Sequence, residues 1–287
     1  MNPQKIAILT DSCCDIPTKQ AMEAGFFVVP LRILGADGEH ADGVDIFSPE
    51  IYQRLAAGED LKTSLPSGLA VERVLDHIKE QGYEKVIALM LSSGLSGTYN
   101  LLRLTAAARS DLEFAVFDSK SGSLGIGIII FQLLEDIENG MDWDTLVNKR
   151  VPQLIANTFP FFSVDTLEYL QKGGRIGRIT AMAGTMLNIK PILSFAEDGQ
   201  LKSVAKVRGM KQVQEKYIEL LRHLKGEHKK FNLAVANGGA PEHMIALRSR
   251  MEAEFPGFDH FWQGEIGATL SVYIGPGILG AGIMLLD

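Results

Sequence analysis

The chain has 287 residues, 46% hydrophobic and 22% charged, with a formal net charge of −7. That length is more than one compact core ordinarily fills, so two domains of roughly 150 residues are expected. The composition excludes a disordered arm, and the acidic balance argues against non-specific nucleic-acid binding, which needs a clustered basic surface.

The opening "MNPQKIAILTDS" lacks the apolar length and cleavage site of a signal peptide. The nearest approach to a bilayer span, "GIGIIIFQLL", falls short of about 18 apolar residues and is interrupted by Gln132. A cytoplasmic protein is expected. Cys13 and Cys14 are neighbours and the only cysteines, so one chain can build neither a disulfide framework nor a four-ligand metal site. They read as buried fillers at a strand end, with a reactive thiol as the alternative.

In the first half, short apolar runs alternate with helical patterns, which predicts an α/β domain with a parallel sheet flanked by helices. "KIAILTDS", "KVIALMLSSG" and "FAVFDSKSG" read as strands that end in hydroxyl residues. Ligands bind outside the carboxyl ends of such strands, so Thr10, Asp11, Ser12, Ser92, Ser93, Asp118 and Ser119 are candidates to line one crevice. Each is equally a turn or cap residue. "KTSLPSG" adds Thr63, Ser64 and Ser67 in a loop.

In "SSGLSGTYN", Gly94 and Gly97 permit tight turns, Ser96 or Thr98 can cap, and a Leu/Ala-rich helix follows whose positive end favours an anion. Capping and ligand binding both fit. "SGSLGIG" repeats the theme, with glycines that let a helix pack closely. Neither GxGxxG nor GxxxxGK[ST] occurs, so no nucleotide cradle is recognisable and no cofactor is expected. A serine nucleophile would need a nearby base, but His77, His223 and His243 fall in helical patterns, and no GxSxG elbow occurs.

The boundary is expected at 157/158. Residues 158–287 read as a smaller α+β domain with a mixed sheet: a strand near Phe161–Val164, a short helix closed by Gly173 and Gly174, a turn at "AEDGQ", a helix over 211–225, the strand "FNLAVANG", and a strand-rich end. Arg175 and Arg208 could each clamp a carboxylate or phosphate. Met182 and Met186 lie one helical turn apart beside Ala183 and Leu187, a pattern that suits either core or an apolar ligand.

"LTDSCCDIP", "DGVDI", "KTSLPSG", "LSSGLSGTYN", "FDSKSGSLGIG", "DTLEYLQKGGRIG", "LNIKPIL" and "IGPGILG" occur in order over essentially the whole chain. Together they resemble the DegV family of bacterial fatty-acid-binding proteins. The resemblance implies one long-chain fatty acid, its tail inside the protein and its carboxylate between the domains. It also implies a separate ATP-binding kinase subunit that phosphorylates the bound acid, with no more than transient membrane contact. By the same resemblance Thr63 and Ser93 hold the carboxylate with Ser64, Gly94 and Ser96 close by, and Arg175 and Arg208 serve phosphoryl transfer or kinase docking. Burying a tail of some sixteen carbons would contribute on the order of 10 kcal/mol. The chain departs from the family pattern at Tyr273, where a histidine usually precedes the final "GPG". A phenol can donate one hydrogen bond but carries no positive charge near neutral pH. The chain is thus expected to carry rather than transform its ligand. A serine esterase and a receptor for another small anion are the alternatives.

Overall fold

All three apolar runs that end in hydroxyl residues become strands of one parallel sheet. The computed structural model describes residues 2–182 and 189–287, with only the backbone for 180–182. In chain order the first half gives β1 (Ile6–Asp11), α1 (Thr18–Ala24), β2 (Phe27–Val29), β3 (Arg32–Gly35), β4 (Gly38–Ala41), α2 (Ser48–Ala56), β5 (Lys62–Ser64), α3 (Gly68–Glu80), β6 (Lys85–Met90), α4 (Thr98–Ala108), β7 (Glu113–Asp118) and α5 (Leu124–Glu138). A helix then begins as α6 (Trp143–Thr145), widens into a π-helical stretch and ends as α7 (Val151–Ala156). The second half gives β8 (Thr158–Ser163), α8 (Glu168–Lys172), β9 (Ile189–Phe195), β10 (Leu201–Arg208), α9 (Gly209–Lys225), β11 (Phe231–Gly238), α10 (Pro241–Glu254), β12 (Phe261–Glu265), α11 (Ala268–Ile274) and β13 (Ile278–Leu285).

Strands β2-β1-β6-β7 form the parallel sheet, β4-β3-β5 a small antiparallel one, and β10-β9-β8-β13-β11-β12 a mixed six-stranded sheet built wholly from residues after 157. Among the described residues no helix is long and apolar enough to cross a membrane. The run "GIGIIIFQLL" is α5, packed between the parallel sheet and the six-stranded sheet, and burial on both sides explains why it is apolar nearly all round. Gln132, which interrupts the run, is buried and fully used. Its Nε2 donates to Asp136 Oδ1 at 3.1 Å, its Oε1 accepts from Asn232 Nδ2 at 3.0 Å, and Arg150 Nε closes the network on Asp136 at 2.6 Å.

One segment departs from its sequence pattern. "ATLSVYI" lies in a stretch read as strand-rich, yet it forms α11. Asp42 Oδ1 accepts from the first helical N–H, that of Ala268, at 3.1 Å, and Ala268 and Val272 turn into the core. Tertiary packing here overrides β-propensity.

Three buried carboxyls surround the turn after β1. Asp11 accepts from Leu91 N at 2.7 Å and Cys13 N at 3.0 Å, tying β1 to β6, and burial still pushes its pKa up to about 6. Asp42 accepts from Ser12 Oγ at 2.8 Å as well as from Ala268, and burial raises it too. Asp15 has left-handed backbone (φ 56°) with the Ser123 hydroxyl and the Gly267 amide against its carboxyl, and burial still raises it well above the ordinary range. Cys13 and Cys14 are fully buried beside these acids, which pushes both thiols up and removes the reactive-thiol alternative.

The folded state holds the Asp15 proton above the pH at which the unfolded chain releases it. Stability therefore falls as pH rises through that window. Asp15→Asn removes the titration and suits a left-handed position. It should raise stability by about 1–3 kcal/mol at pH 8, since each pKa unit of upward shift costs about 1.4 kcal/mol once the unfolded chain has lost its proton, with little gain near pH 4, read from urea midpoints. A gain independent of pH would show that Asp15 ionises alike in both states.

Candidate functional site

Between α5 and the six-stranded sheet lies a cavity of about 290 Å³, near the lower end of ligand pockets. Its floor is a trough of small residues: Ala236 pairs with Gly280 and Ala234 with Gly282 across β11 and β13. The flanking Leu279 and Ile283 point to the opposite face, into the second core under α9 and α10. Leu124 and Ile128 of α5, Phe162, Phe195 and Leu270 complete the apolar walls. None of the trough was singled out from the sequence, although the period-two spacing of small residues in "ILGAGIML" and "LAVA" marks a sheet face with missing side-chain volume.

At one end the lining turns polar, with Thr63, Ser64, Ser96, Arg175 and Tyr273. The sequence reading selected all five, and the fold brings them together from β5, the loop before α4, the loop after α8, and α11. Thr63 Oγ1 and Tyr273 OH share a hydrogen bond of 2.7 Å. Arg32 braces this loop, donating to Ser64 Oγ at 3.2 Å and Leu65 O at 2.9 Å; sequence reasoning missed it, and only the pairing of β3 with β5 reveals it. Ser96 Oγ shares a bond with Thr98 Oγ1 at 2.8 Å and accepts from Thr98 N–H at 3.3 Å while lining the cavity; no side chain caps α4. Gly97, the N-cap of α4, also lines it, which puts the positive end of that helix at the mouth. Arg175 stacks over the Tyr273 ring at 4.8 Å and donates to Gly173 O at 2.6 Å. Outside the mouth a groove of about 460 Å³, bordered by Lys62, Lys172, Glu59 and Asp60, shares Thr63, Arg175 and Tyr273 with the cavity.

Other candidate residues lie elsewhere. Ser93 and Gly94 are not in the cavity lining: Ser93 N–H donates to Asp118 Oδ1 at 3.0 Å, and Gly94 presses on the backbone of the Gly199 turn. The expected crevice at the strand ends is filled by the chain itself. Ser92 Oγ donates to Gly199 O, Ser119 Oγ to Ser121 O and Ser12 Oγ to Asp42, while Asp11 binds two amides. Arg208 is exposed at the end of β10, away from the mouth lining. Met186, Leu187 and the Met182 side chain lie outside the described residues. No histidine lines the cavity among the described residues; His40 pairs with Asp37, His228 with Asp287 and His260 with Glu135. A cavity serine therefore has no imidazole base within reach.

An apolar cavity with a hydroxyl-lined mouth in a mixed α/β architecture has the character of a small-molecule site. The chain belongs to the DegV family: it matches the model described as "Uncharacterised protein, DegV family" over residues 5–285. A DegV domain-containing protein of Clostridium acetobutylicum is 37% identical over 277 residues, covering 96% of this chain and 98% of its own. A structure from Thermus thermophilus, described as fatty acid binding of a DegV family protein, superposes over 100% of both chains with a TM-score of 0.91 at 30% identity. DegV from Bacillus subtilis, described as a fatty acid binding protein, is 25% identical with a TM-score of 0.87, again over 100% of both chains. A stearic acid-binding protein from Eubacterium ventriosum is 26% identical, covers 97% of each chain and has a TM-score of 0.85.

The mouth is held by two ring-on-glycine contacts. A methyl group on Gly173 would lie 2.2 Å from Tyr273 Cδ1, and one on Gly275 would lie 2.4 Å from the Tyr169 ring. Gly173→Ala should therefore cost about 1–3 kcal/mol through overpacking. Most of that cost should disappear in a Tyr273→Ala background, as a double-mutant cycle on urea midpoints would read. Additive costs would mean that the ring does not set the glycine requirement.

Proposed function

We propose that this chain binds one long-chain fatty acid, with the tail along the Ala234–Ala236–Gly280–Gly282 trough and the carboxylate at the mouth. The single observation that carries this is an apolar cavity whose lining gathers Thr63, Ser64, Ser96 and Tyr273 with the guanidinium of Arg175. A buried carboxylate must keep its hydrogen bonds, and hydroxyls that now bond one another can turn to donate to it. In this reading Ser93 and Gly94 hold the loop against Asp118 and Gly199. Relatives of the same fold described as fatty-acid-binding support the ligand class. Residues 1–157 act as the domain that supplies the anion-binding loops, and residues 158–287 as the domain that covers the acyl chain. A small-anion receptor would have no use for the apolar trough.

The same reading makes the chain the acyl-presenting subunit of a two-component fatty acid kinase located in the cytoplasm. A separate ATP-binding subunit would approach through the outer groove, with Arg175 at the carboxylate and the exposed Arg208 as a partner contact. Mass spectrometry of an organic extract of the purified protein should return close to one C14–C18 fatty acid per chain. An empty extract with no uptake of added oleate or palmitate would overturn the proposal. With a fatty acid kinase subunit and ATP, Tyr273→His should retain acyl binding and raise acyl phosphate formation by about a hundredfold, the lower end of acid–base contributions. Equal rates would remove position 273 from the coupling.

A further inference from the structure

We infer that Gly280 and Gly282 of β13, with Met284 beyond them, form a ruler that sets the length of acyl chain the cavity accepts. The inference rests on the fatty-acid reading above and specifies the substrate further. Nothing in the fold itself calls for either glycine. Both lie inside an interior strand of the six-stranded sheet, where glycine weakens the strand and packs nothing. Neither has the positive φ that favours glycine. The nearest atoms to a methyl group added at either position would stand 3.5 Å away, which is ordinary contact. Alanine therefore fits both places, and what the missing methyl groups preserve is the open space of the cavity above them.

The trough ends where larger and polar side chains resume. Side chains alternate along a strand, so Met284 follows Ile278, Gly280 and Gly282 on the cavity face, and it is fully buried in the same core as Ile128 and Ala234. Its cross-strand partner Thr158 lines the cavity, which therefore reaches the level of Met284. On the other side Met284 pairs with Asn232, whose Nδ2 donates at 3.0 Å to Gln132, one turn beyond Ile128 on α5. A tail driven past this layer would have to displace Met284 and strip a buried amide pair of its hydrogen bond, which is costly. A tail that stops at Gly282 meets only small residues. From Ile278, the first residue of β13, to Gly282 the strand runs about 14 Å at roughly 3.4 Å per residue. One leaflet of a bilayer's hydrocarbon core is about 15 Å thick. The ruler therefore accepts the tails of ordinary membrane lipids and refuses longer ones.

The experiment incubates the lipid-stripped full chain with an equimolar mixture of laurate, palmitate and arachidate and quantifies the retained acids by mass spectrometry. The unaltered chain should retain palmitate over arachidate by about tenfold or more, the lower range for a misfit in an apolar pocket. Gly282→Val should move the preference from palmitate to laurate by a similar factor. Gly282→Ala should move it the same way by about fourfold, the worth of one methylene, and Met284→Ala should admit arachidate. Gly282→Ala should melt no lower than the unaltered chain, because the fold has room for the methyl group; it carries the test by itself if a bulkier variant does not fold. A clearly lower melt for Gly282→Ala would show that the fold, and not the tail, requires the glycine. Equal retention of palmitate and arachidate by the unaltered chain, or a preference unchanged in Gly282→Ala, would overturn the ruler while leaving the fatty-acid reading intact. A protein that retains none of the acids would overturn both.

Discussion

Everything in this molecule depends on α5 being buried on both sides. A helix with almost no polar face is unstable at a surface, so each sheet must supply one wall of its surroundings. The parallel sheet covers one side through β1 and β6, and the six-stranded sheet covers the other through β8, β11, β12 and β13. The two halves of the chain thus share one core, and the cavity is the part of that interface where the second wall lacks side chains. Four small residues of β11 and β13 leave the space that larger ones would fill.

The position of the mouth follows from the same arrangement. Asp42 fixes the start of α11 through Ala268 N–H, and one face of that helix then carries Thr269 and Tyr273 along the cavity. Tyr273 meets Thr63 across 210 residues of sequence, and Arg175 lies over its ring. Hydroxyls, one aromatic ring and one guanidinium converge although no two neighbouring elements supply them. The hydroxyls there are neutral and bond one another, and the guanidinium of Arg175 lies over the ring of Tyr273.

Much of the architecture was legible in the sequence because it is local. The period and punctuation of the apolar runs identified β1, β6 and β7, the helix over 211–225 and the strand "FNLAVANG". Thr63, Ser64, Ser96, Arg175 and Tyr273, candidates through the resemblance to the family, line one cavity, yet nothing in their spacing brings them into one place. The crevice expected at the strand ends was misread for a physical reason: Ser12, Ser92, Ser119 and Asp11 spend their hydrogen bonds on the chain's own turns. The cavity floor escaped notice because its signal is an absence of side-chain volume at alternate positions. Arg32 escaped because its importance lies in partners gained across β3 and β5, which only three dimensions reveal.

The contact between Gly94 and Gly199 has a mechanical consequence. Two strips of bare backbone press together there, with Ser92 Oγ bonded to Gly199 O at 2.7 Å. Side-chain interfaces can accommodate small slips by changing rotamers, but peptide planes have no such freedom. The loop before α4 is consequently held against the turn after β9 in a single seating, which fixes where Ser96 and Gly97 meet the cavity.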